Sequence, residues 1–257
     1  MEFDQNYYES SCGKPYQRDD EWLSFFGKIA KKIKDEIDPK SVLDAGCAFG
    51  FLVEKLREND VDAFGCDVSD FAISKTNESI KPYCWVASLS EPITNKYDLI
   101  VCIEVLEHIQ KENSEKALKN LCDASDDILF SSTPFDYKET THVNVNPPDY
   151  WSEQFARYGF FRDVNFDASF ITPWAVRYRK RTEPIHRLIK EYEQKFWVIK
   201  KENSDLRELS VELENNIQYL KKEISIRENE IDEIRKSNSW KMIQKISKFT
   251  RPFRKKG

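Results

Sequence analysis

Four carboxylates and two imidazoles fall where chemistry could be done: Asp44, Asp67, Glu104, Glu107, His108 and His142. Asp44 closes a short apolar run and opens Asp44-x-Gly46-x-Ala48-x-Gly50, after which Phe51, Leu52, Val53 and Leu56 recur at helical spacing. Glycines at 46 and 50 predict a tight strand-to-helix turn whose backbone approaches a ligand closely, because no Cβ blocks it. Asp67 ends the next apolar run, residues 61–68, about 20 residues beyond the turn. At that interval in a βαβ unit an acid can accept both hydroxyls of a ribose, and a carboxylate is the bidentate acceptor that two hydroxyl donors need. The G-x-G-x-x-G spacing of dinucleotide folds is absent. Glu104, Glu107 and His108 follow the continuous apolar run 99–103, which suits a central parallel strand, so they stand at the carboxyl end where open α/β sheets bind ligands. Glu104 is nearest the strand end, and Glu107 is expected to be a solvated helix residue.

The elements that must position these groups are legible in order. Trp22, Phe25, Phe26, Ile29 and Ile33 mark a helix over residues 21–37, ahead of the first strand. A helix follows the glycine turn to about Asn59, and another starts at Phe71, Ala72 and Ile73. Short apolar runs at 83–86 and 126–130 predict the third and fifth strands, and His142 lies in the loop after the fifth. Pro147 and Pro148 open a helix that Gly159 stops. Residues 160–166 and 170–178 are expected to form closing strands.

Composition divides the chain. Of 257 residues, 40% are hydrophobic and 33% charged; eight of the ten prolines precede Lys180, and residues 182–236 are rich in Glu, Lys, Ile, Leu and Asn. That pattern predicts a globular domain followed by a helical rod. No apolar run approaches the ~18 residues of a membrane span, and MEFDQNYYES lacks the basic and apolar regions of an export signal, so a cytoplasmic protein is expected. Cys12, Cys47, Cys66, Cys84, Cys102 and Cys122 form no C-x-x-C pair and are expected as small buried hydrophobes in a reducing compartment. With three histidines and no clustered ligand spacing, no metal is expected. The net charge of -5 conceals seven basic residues and no acidic ones from Ser237 onward, so the remainder carries about -12. An acidic body argues against nucleic acid.

The stretch Asp44-x-Gly46-x-Ala48-x-Gly50 resembles motif I of the class I S-adenosylmethionine-dependent methyltransferases, D/E-x-G-x-G-x-G, with Ala48 in place of the middle glycine. YDLIVCIEVLEH at 97–108 looks like motif IV of members acting on small molecules and glycans. The resemblance covers residues 35–178 and implies an α/β, Rossmann-like domain, a mostly parallel sheet with helices on both faces, with S-adenosyl-L-methionine as cofactor. It implies cofactor contacts at Asp44, Gly46, Cys47, Ala48, Gly50, Phe51, Asp67, Val68 and Ile103. Ser88 and Leu89 would bound the adenine, although the acid or hydroxyl position there is filled by Ser88 with no Asp following. In many members an N-terminal aromatic segment folds over the cofactor, which would make Tyr7 and Tyr8 part of a lid. The H-x-N-x-x-P-x-x-Y-W-x-x-x-F-x-x-x-G-F pattern from His142 is similar to that of methyltransferases found among surface-polysaccharide enzymes.

On that resemblance, the cofactor's sulfonium already carries an activated methyl, and the protein must align an in-line displacement and take a proton from a hydroxyl acceptor. Histidine has the unperturbed pKa for that task, which makes His108 and His142 the candidate bases, with Glu104 as a cofactor or acceptor contact. An amine or carboxylate acceptor would need less base assistance.

From Ile189 to Asn238 every third and fourth residue in alternation forms a heptad seam of about seven repeats, with Ile217, Ile224 and Ile231 at a and Leu206, Leu213 and Leu220 at d. A parallel homodimer is expected, with a trimer as the second choice because Asn203, Ser210, Arg227 and Asn238 interrupt the seam. At ~1.5 Å per residue the rod extends on the order of 75 Å. Residues 239–257, with Trp240, Ile243, Ile246 and Phe249 on one helical face, are expected to meet an anionic membrane surface or a partner enzyme of glycan assembly. The layout is similar to that of bacterial O-antigen chain-terminating methyltransferases. The expected division is 1–36 lid and first helix, 37–180 methyltransferase domain, 185–238 coiled coil and 239–257 basic tail. The function expected is O-methylation of a sugar hydroxyl on a surface or lipid-linked glycan at the inner membrane face; the alternatives are a soluble metabolite as acceptor, or an inactive coiled-coil scaffold.

Overall fold

The computed structural model describes residues 3–10 and 14–250, the side chains of 248–250 excepted. Cys12 and the basic residues Arg251, Arg254, Lys255 and Lys256 lie outside the described residues, as does the side chain of Phe249. Contacts divide the chain into two units, Met1–Ile189 and Lys190–Gly257.

The first unit is built on a seven-stranded sheet of β1 (Ser41–Ala45), β2 (Asp62–Asp67), β3 (Cys84–Val86), β4 (Leu99–Ile103), β5 (Asp127–Ser131), β6 (Phe160–Arg162) and β7 (Val176–Lys180). Their order is β3-β2-β1-β4-β5-β7-β6. The first five are parallel, and β7 runs antiparallel to β5 and β6. This is a Rossmann-like α/β fold. The chain winds outward from β1 in one direction and from β4 in the other, so the loops leaving these two strands diverge and open a crevice at their carboxyl ends.

Both faces of the central strands are covered, which is why they are continuous apolar runs rather than alternating ones. Leu43, Ile100, Cys102, Ile128 and Phe130 belong to one core with Leu118 of α5 (Lys111–Ala124). Val42, Leu99, Val101 and Leu129 belong to the other, with Ile29 and Ile33 of α2 (Asp20–Glu36) and Leu52, Val53 and Leu56 of α3 (Phe51–Glu58). Asp19 caps α2 by accepting from the Trp22 N–H at 2.9 Å.

The N-terminal segment carries a short helix, α1 (Gln5–Ser10), where the sequence suggested only an aromatic lid. Tyr8 is buried, 4.8 Å from Phe49 between ring centroids, and Tyr16 stacks on Phe51. Arg18 forks onto the buried Glu54 of α3 through bonds of 2.5 and 2.7 Å. A short α4 (Asp70–Ser74) follows β2, and α6 (Pro148–Ala156) precedes β6.

The closing strands differ from expectation. They are confined to Phe160–Arg162 and Val176–Lys180, and the stretch between them is turns. Asp163 and Asp167 explain this: each side chain accepts the N–H two residues on, from Asn165 and Ser169, giving the backbone a local alternative to a ladder. Phe166 and Phe170 then pack inward against the second core.

The second unit is helical. α7 (Ile185–Lys236) runs 52 residues, and α8 (Asn238–Thr250) follows after Ser237, whose hydroxyl accepts from the Trp240 N–H at 3.2 Å. Ile217, Leu220, Ile224 and Ile231 are exposed on the single chain. Among the described residues no helix is long and apolar enough to cross a membrane.

Candidate functional site

The glycine turn follows β1 as its spacing requires. Gly46 and Gly50 have φ of 93° and 74°, and Ala48 itself takes φ 46°. Left-handed backbone costs an alanine more than a glycine, and the substitution in the family pattern therefore leaves the path of the turn intact at some cost in strain. The Gly46 and Cys47 N–H groups both donate to the Cys66 carbonyl, at 2.8 and 3.0 Å, which ties the turn to the end of β2. There Asp67 accepts from the Ala48 N–H at 2.8 Å through Oδ2 and from the Ser69 N–H at 2.9 Å through Oδ1. Each oxygen keeps a lone pair for a further donor. Asp44 lies buried behind it, and burial, with Asp67 adding repulsion, pushes its carboxyl up to about 8.

The side chains of the other cofactor candidates diverge. Cys47 points into the core, where a Cβ on Gly65 would meet its Sγ at 2.7 Å, so only its backbone faces the turn. Phe51 is absorbed by the aromatic cluster around Tyr16, and Leu89 by the first core. Ile103 packs with the second core, and Val68, just after β2, is exposed. Ser88 accepts from the Ser90 N–H at 3.2 Å. Tyr8 packs on Phe49 within the turn, and Ser69 donates to the Phe3 carbonyl at 2.5 Å, which places the N-terminal segment against the glycine turn and the residues after β2.

On the β4 side, Glu104 has a positive φ of 53° and its N–H donates to the Ser131 carbonyl at 3.0 Å. Its carboxylate accepts from the Trp174 indole N–H at 2.9 Å. Residues Leu106–His108 form one 3-10 turn, and Glu107 is completely buried rather than a solvated helix residue. The cause is the loop after β5. The Val143 and Asn144 N–H groups both donate to the Glu107 carbonyl at 2.9 Å, the Asn144 side chain donates to the Leu106 carbonyl, and the Thr133 N–H reaches Glu107 Oε1 at 3.3 Å. Burial and the neighbouring Glu104 carboxylate raise the Glu107 carboxyl well above the usual range.

The same clip sets His142 beside His108, with ring centroids 4.6 Å apart. Burial, then repulsion from His142, pushes His108 down to about 4, so it is neutral near pH 7. His108 Nδ1 lies 3.0 Å from the Thr141 hydroxyl and Nε2 lies 3.4 Å from the Tyr7 hydroxyl of the N-terminal segment. Thus Asp44, the turn, Asp67, Glu104, His108 and His142 share the crevice at the β1 and β4 ends. Sequence reasoning missed the parts played by Thr141, Trp174 and Glu107. Only Glu107 had a signal, the three-residue step from Glu104 beside a histidine.

Asp44 makes the site pH-sensitive. Its folded pKa lies above the unfolded value near 3.8, so the folded chain retains a proton that the unfolded chain has lost, and stability falls as pH rises from about 4 to about 8. Denaturant unfolding at pH 6 and pH 8 is expected to show this loss in the native chain. Asp44→Asn should make it shallower, Glu107 still contributing in the same direction, and be more stable at pH 8 by ~1 kcal/mol or more. An unchanged pH profile in the variant would show that Asp44 is not the titrating group.

Residues 16–165 match the family model described as a methyltransferase domain. Over 121 residues the chain is 27% identical to a protein of Acinetobacter baumannii named ubiquinone biosynthesis O-methyltransferase, a match covering 43% of this chain and 47% of that protein. A protein of the same name from Nitrosospira multiformis is 28% identical over 120 residues, 43% of this chain and 46% of its own length. The chain therefore spans about half the length of these curated relatives. Among solved structures, magnesium protoporphyrin IX methyltransferase from Synechocystis PCC 6803, crystallised with S-adenosylhomocysteine, superposes with a TM-score of 0.51 at 16% identity, covering 62% of this chain and 83% of that one. At that identity the likeness speaks for the fold alone.

Proposed function

The chain belongs to the methyltransferase-domain family and uses S-adenosylmethionine, and from that premise we propose that it O-methylates a sugar hydroxyl on a surface or lipid-linked glycan. The observation that carries a hydroxyl acceptor is the imidazole pair His108 and His142, ring centroids 4.6 Å apart at the end of β4 that also carries Glu104: a weak oxygen nucleophile needs positioned polar groups of this kind, which an amine would not need. Asp67 and the glycine turn hold the ribose and the backbone-facing part of the cofactor, and the N-terminal segment covers it. The methyl then lies between the two halves of the crevice, where the acceptor oxygen attacks in line and the S–C bond breaks with its electrons passing to sulfur.

Support for a glycan comes from the loop after β5. Phe135 and Tyr137 are 76% and 72% exposed, and Phe135 stands edge-on to Trp174 with centroids 6.4 Å apart. Aromatic faces of this kind accept the C–H face of a sugar ring. They would equally accept an aromatic ring, and the second reading is a hydroxyl on such a ring, prompted by the ubiquinone-biosynthesis O-methyltransferase names of the partial relatives. Incubation with methyl-labelled S-adenosylmethionine, lipid-linked oligosaccharide, free sugars and catechols separates the two. Label in the glycan is expected; label confined to catechols or free sugars would sink the glycan reading.

We also propose that α7 pairs with a second copy through its heptad seam. Its a and d residues Leu213, Ile217, Leu220 and Ile224 are half exposed in one chain, a row of apolar surface that pairing would bury. Light scattering should give about twice the 30.4 kDa chain mass, and Leu213→Glu with Leu220→Glu should halve it. A native chain that stays monomeric at tens of micromolar would refute the pairing.

A further inference from the structure

Glu107, His108 and His142 each offer a ligand atom within 4.8 Å of the other two. Oε2 of Glu107 is enclosed and has no hydrogen-bond partner among the described residues, while Oε1 takes the Thr133 N–H. A carboxylate oxygen buried without a donor is costly, and the adjacent Glu104 adds a like charge instead of relieving it. A proton shared with Glu104 relieves the pair, and so does a cation, for which the two imidazoles alongside are the further ligands.

The imidazoles are prepared for the same partner. His142 Nδ1 lies 2.8 Å from the Asp136 carbonyl, which can only accept, so Nδ1 carries the proton and Nε2 keeps its lone pair. The Thr141 hydroxyl donates to Glu139 Oε1 at 3.0 Å and therefore accepts from His108 Nδ1, which leaves Nε2 as the lone-pair atom there too, met at 3.4 Å by the Tyr7 hydroxyl that an ion would displace. Hydrogen-bonded Nδ1 groups that fix the tautomer are the usual outer shell of metal-binding histidines.

We infer that Glu107, His108 and His142 form a divalent-cation site on the acceptor side of the crevice, with Glu104 next to it. Two imidazoles and one carboxylate suit Mn²⁺, Fe²⁺, Co²⁺ or Zn²⁺, whereas Mg²⁺ and Ca²⁺ favour all-oxygen shells. Bonds of ~2.1 Å set tetrahedral donors about 3.4 Å apart, so groups now within 4.8 Å of one another close by up to about 1.4 Å to grip the ion. The expectation of no metal rested on the lack of a local ligand spacing, and His108 and His142 stand 34 positions apart in sequence.

The inference rests on the methyltransferase reading for its chemistry. The three protein ligands leave positions for the acceptor hydroxyl, whose acidity a bound cation raises. The hydroxyl proton leaves to solvent, the oxygen forms its bond to the methyl carbon, and the S–C electron pair stays on sulfur. The products are the methyl ether, S-adenosylhomocysteine and one proton. His108 and His142 thereby act through the ion, and neither needs to hold the proton itself.

The test uses the full chain, stripped with chelator and titrated with Mn²⁺ while the free ion is followed by electron paramagnetic resonance. One saturable site per chain is expected, displaced by Zn²⁺, with Glu107→Gln and His142→Ala each weakening it about tenfold or more. S-adenosylmethionine binding is measured on every sample. His142→Ala changes a loop residue and guards against a Glu107→Gln chain that does not fold. Absence of saturable Mn²⁺ and Zn²⁺ binding in a chain that binds S-adenosylmethionine overturns the site, as does affinity unchanged in the variants, and both leave the methyltransferase reading standing. Metal binding in a chain that methylates no hydroxyl acceptor would instead overturn the acceptor reading.

Discussion

Asp67→Ala is expected to weaken S-adenosylmethionine binding about 30-fold or more, equivalent to ~2 kcal/mol, when measured by calorimetry on the folded chain. Both oxygens of Asp67 brace the site, on the Ala48 and Ser69 N–H groups, and in the proposed pose the lone pairs left over accept two ribose hydroxyls. Alanine removes the acceptor and leaves two backbone donors unpaired in a buried place, so unfolding stability should fall as well, by ~1–3 kcal/mol. Asp67→Asn retains one oxygen and should fall between. Cofactor affinity that survives in a folded Asp67→Ala chain would strip Asp67 of the ribose role and leave it as a brace of the turn alone.

Gly46→Ala should be still more damaging. A Cβ there would stand 2.3 Å from Val105 Cγ2 and 3.2 Å from Cγ1, at a backbone φ of 93° that side chains rarely adopt. Val105 cannot yield freely, because it stands between Glu104, itself at positive φ, and the 3-10 turn that carries Glu107 and His108. Overpacking and backbone strain together predict a loss of roughly 3 kcal/mol in denaturant unfolding, with cofactor binding weakened in parallel. Adding Val105→Ala relieves the contact but not the φ, so the double variant should recover only part. A Gly46→Ala chain as stable as the native one would mean that the turn and the β4 loop are not in close contact.

That contact marks the boundary between what could be read from the chain and what could not. The central strands were legible because burial on both faces leaves continuous apolar runs at Val42–Leu43 and residues 99–103, and the turn was legible because only glycine adopts its φ cheaply. Asp67 was legible for a related reason, since a strand–helix–strand unit has a nearly constant length and puts a strand-end acid at a known interval.

Sequence alone therefore determined the α/β class, the succession of the strands along the chain and the placing of the acids at their carboxyl ends. Tertiary structure decided the composition of the acceptor side. Glu107 looked solvent-facing by position, yet two N–H bonds from Val143 and Asn144 draw the β5 loop over it and bury it. The same bonds bring His142 to His108, and the turns set by Asp163 and Asp167 end the closing strand early and carry Trp174 to Glu104. Periodicity records which face of an element is buried, because each strand or helix repeats its geometry along its length. A loop has no repeat, so where it docks is fixed by single hydrogen bonds to groups that lie far away in sequence.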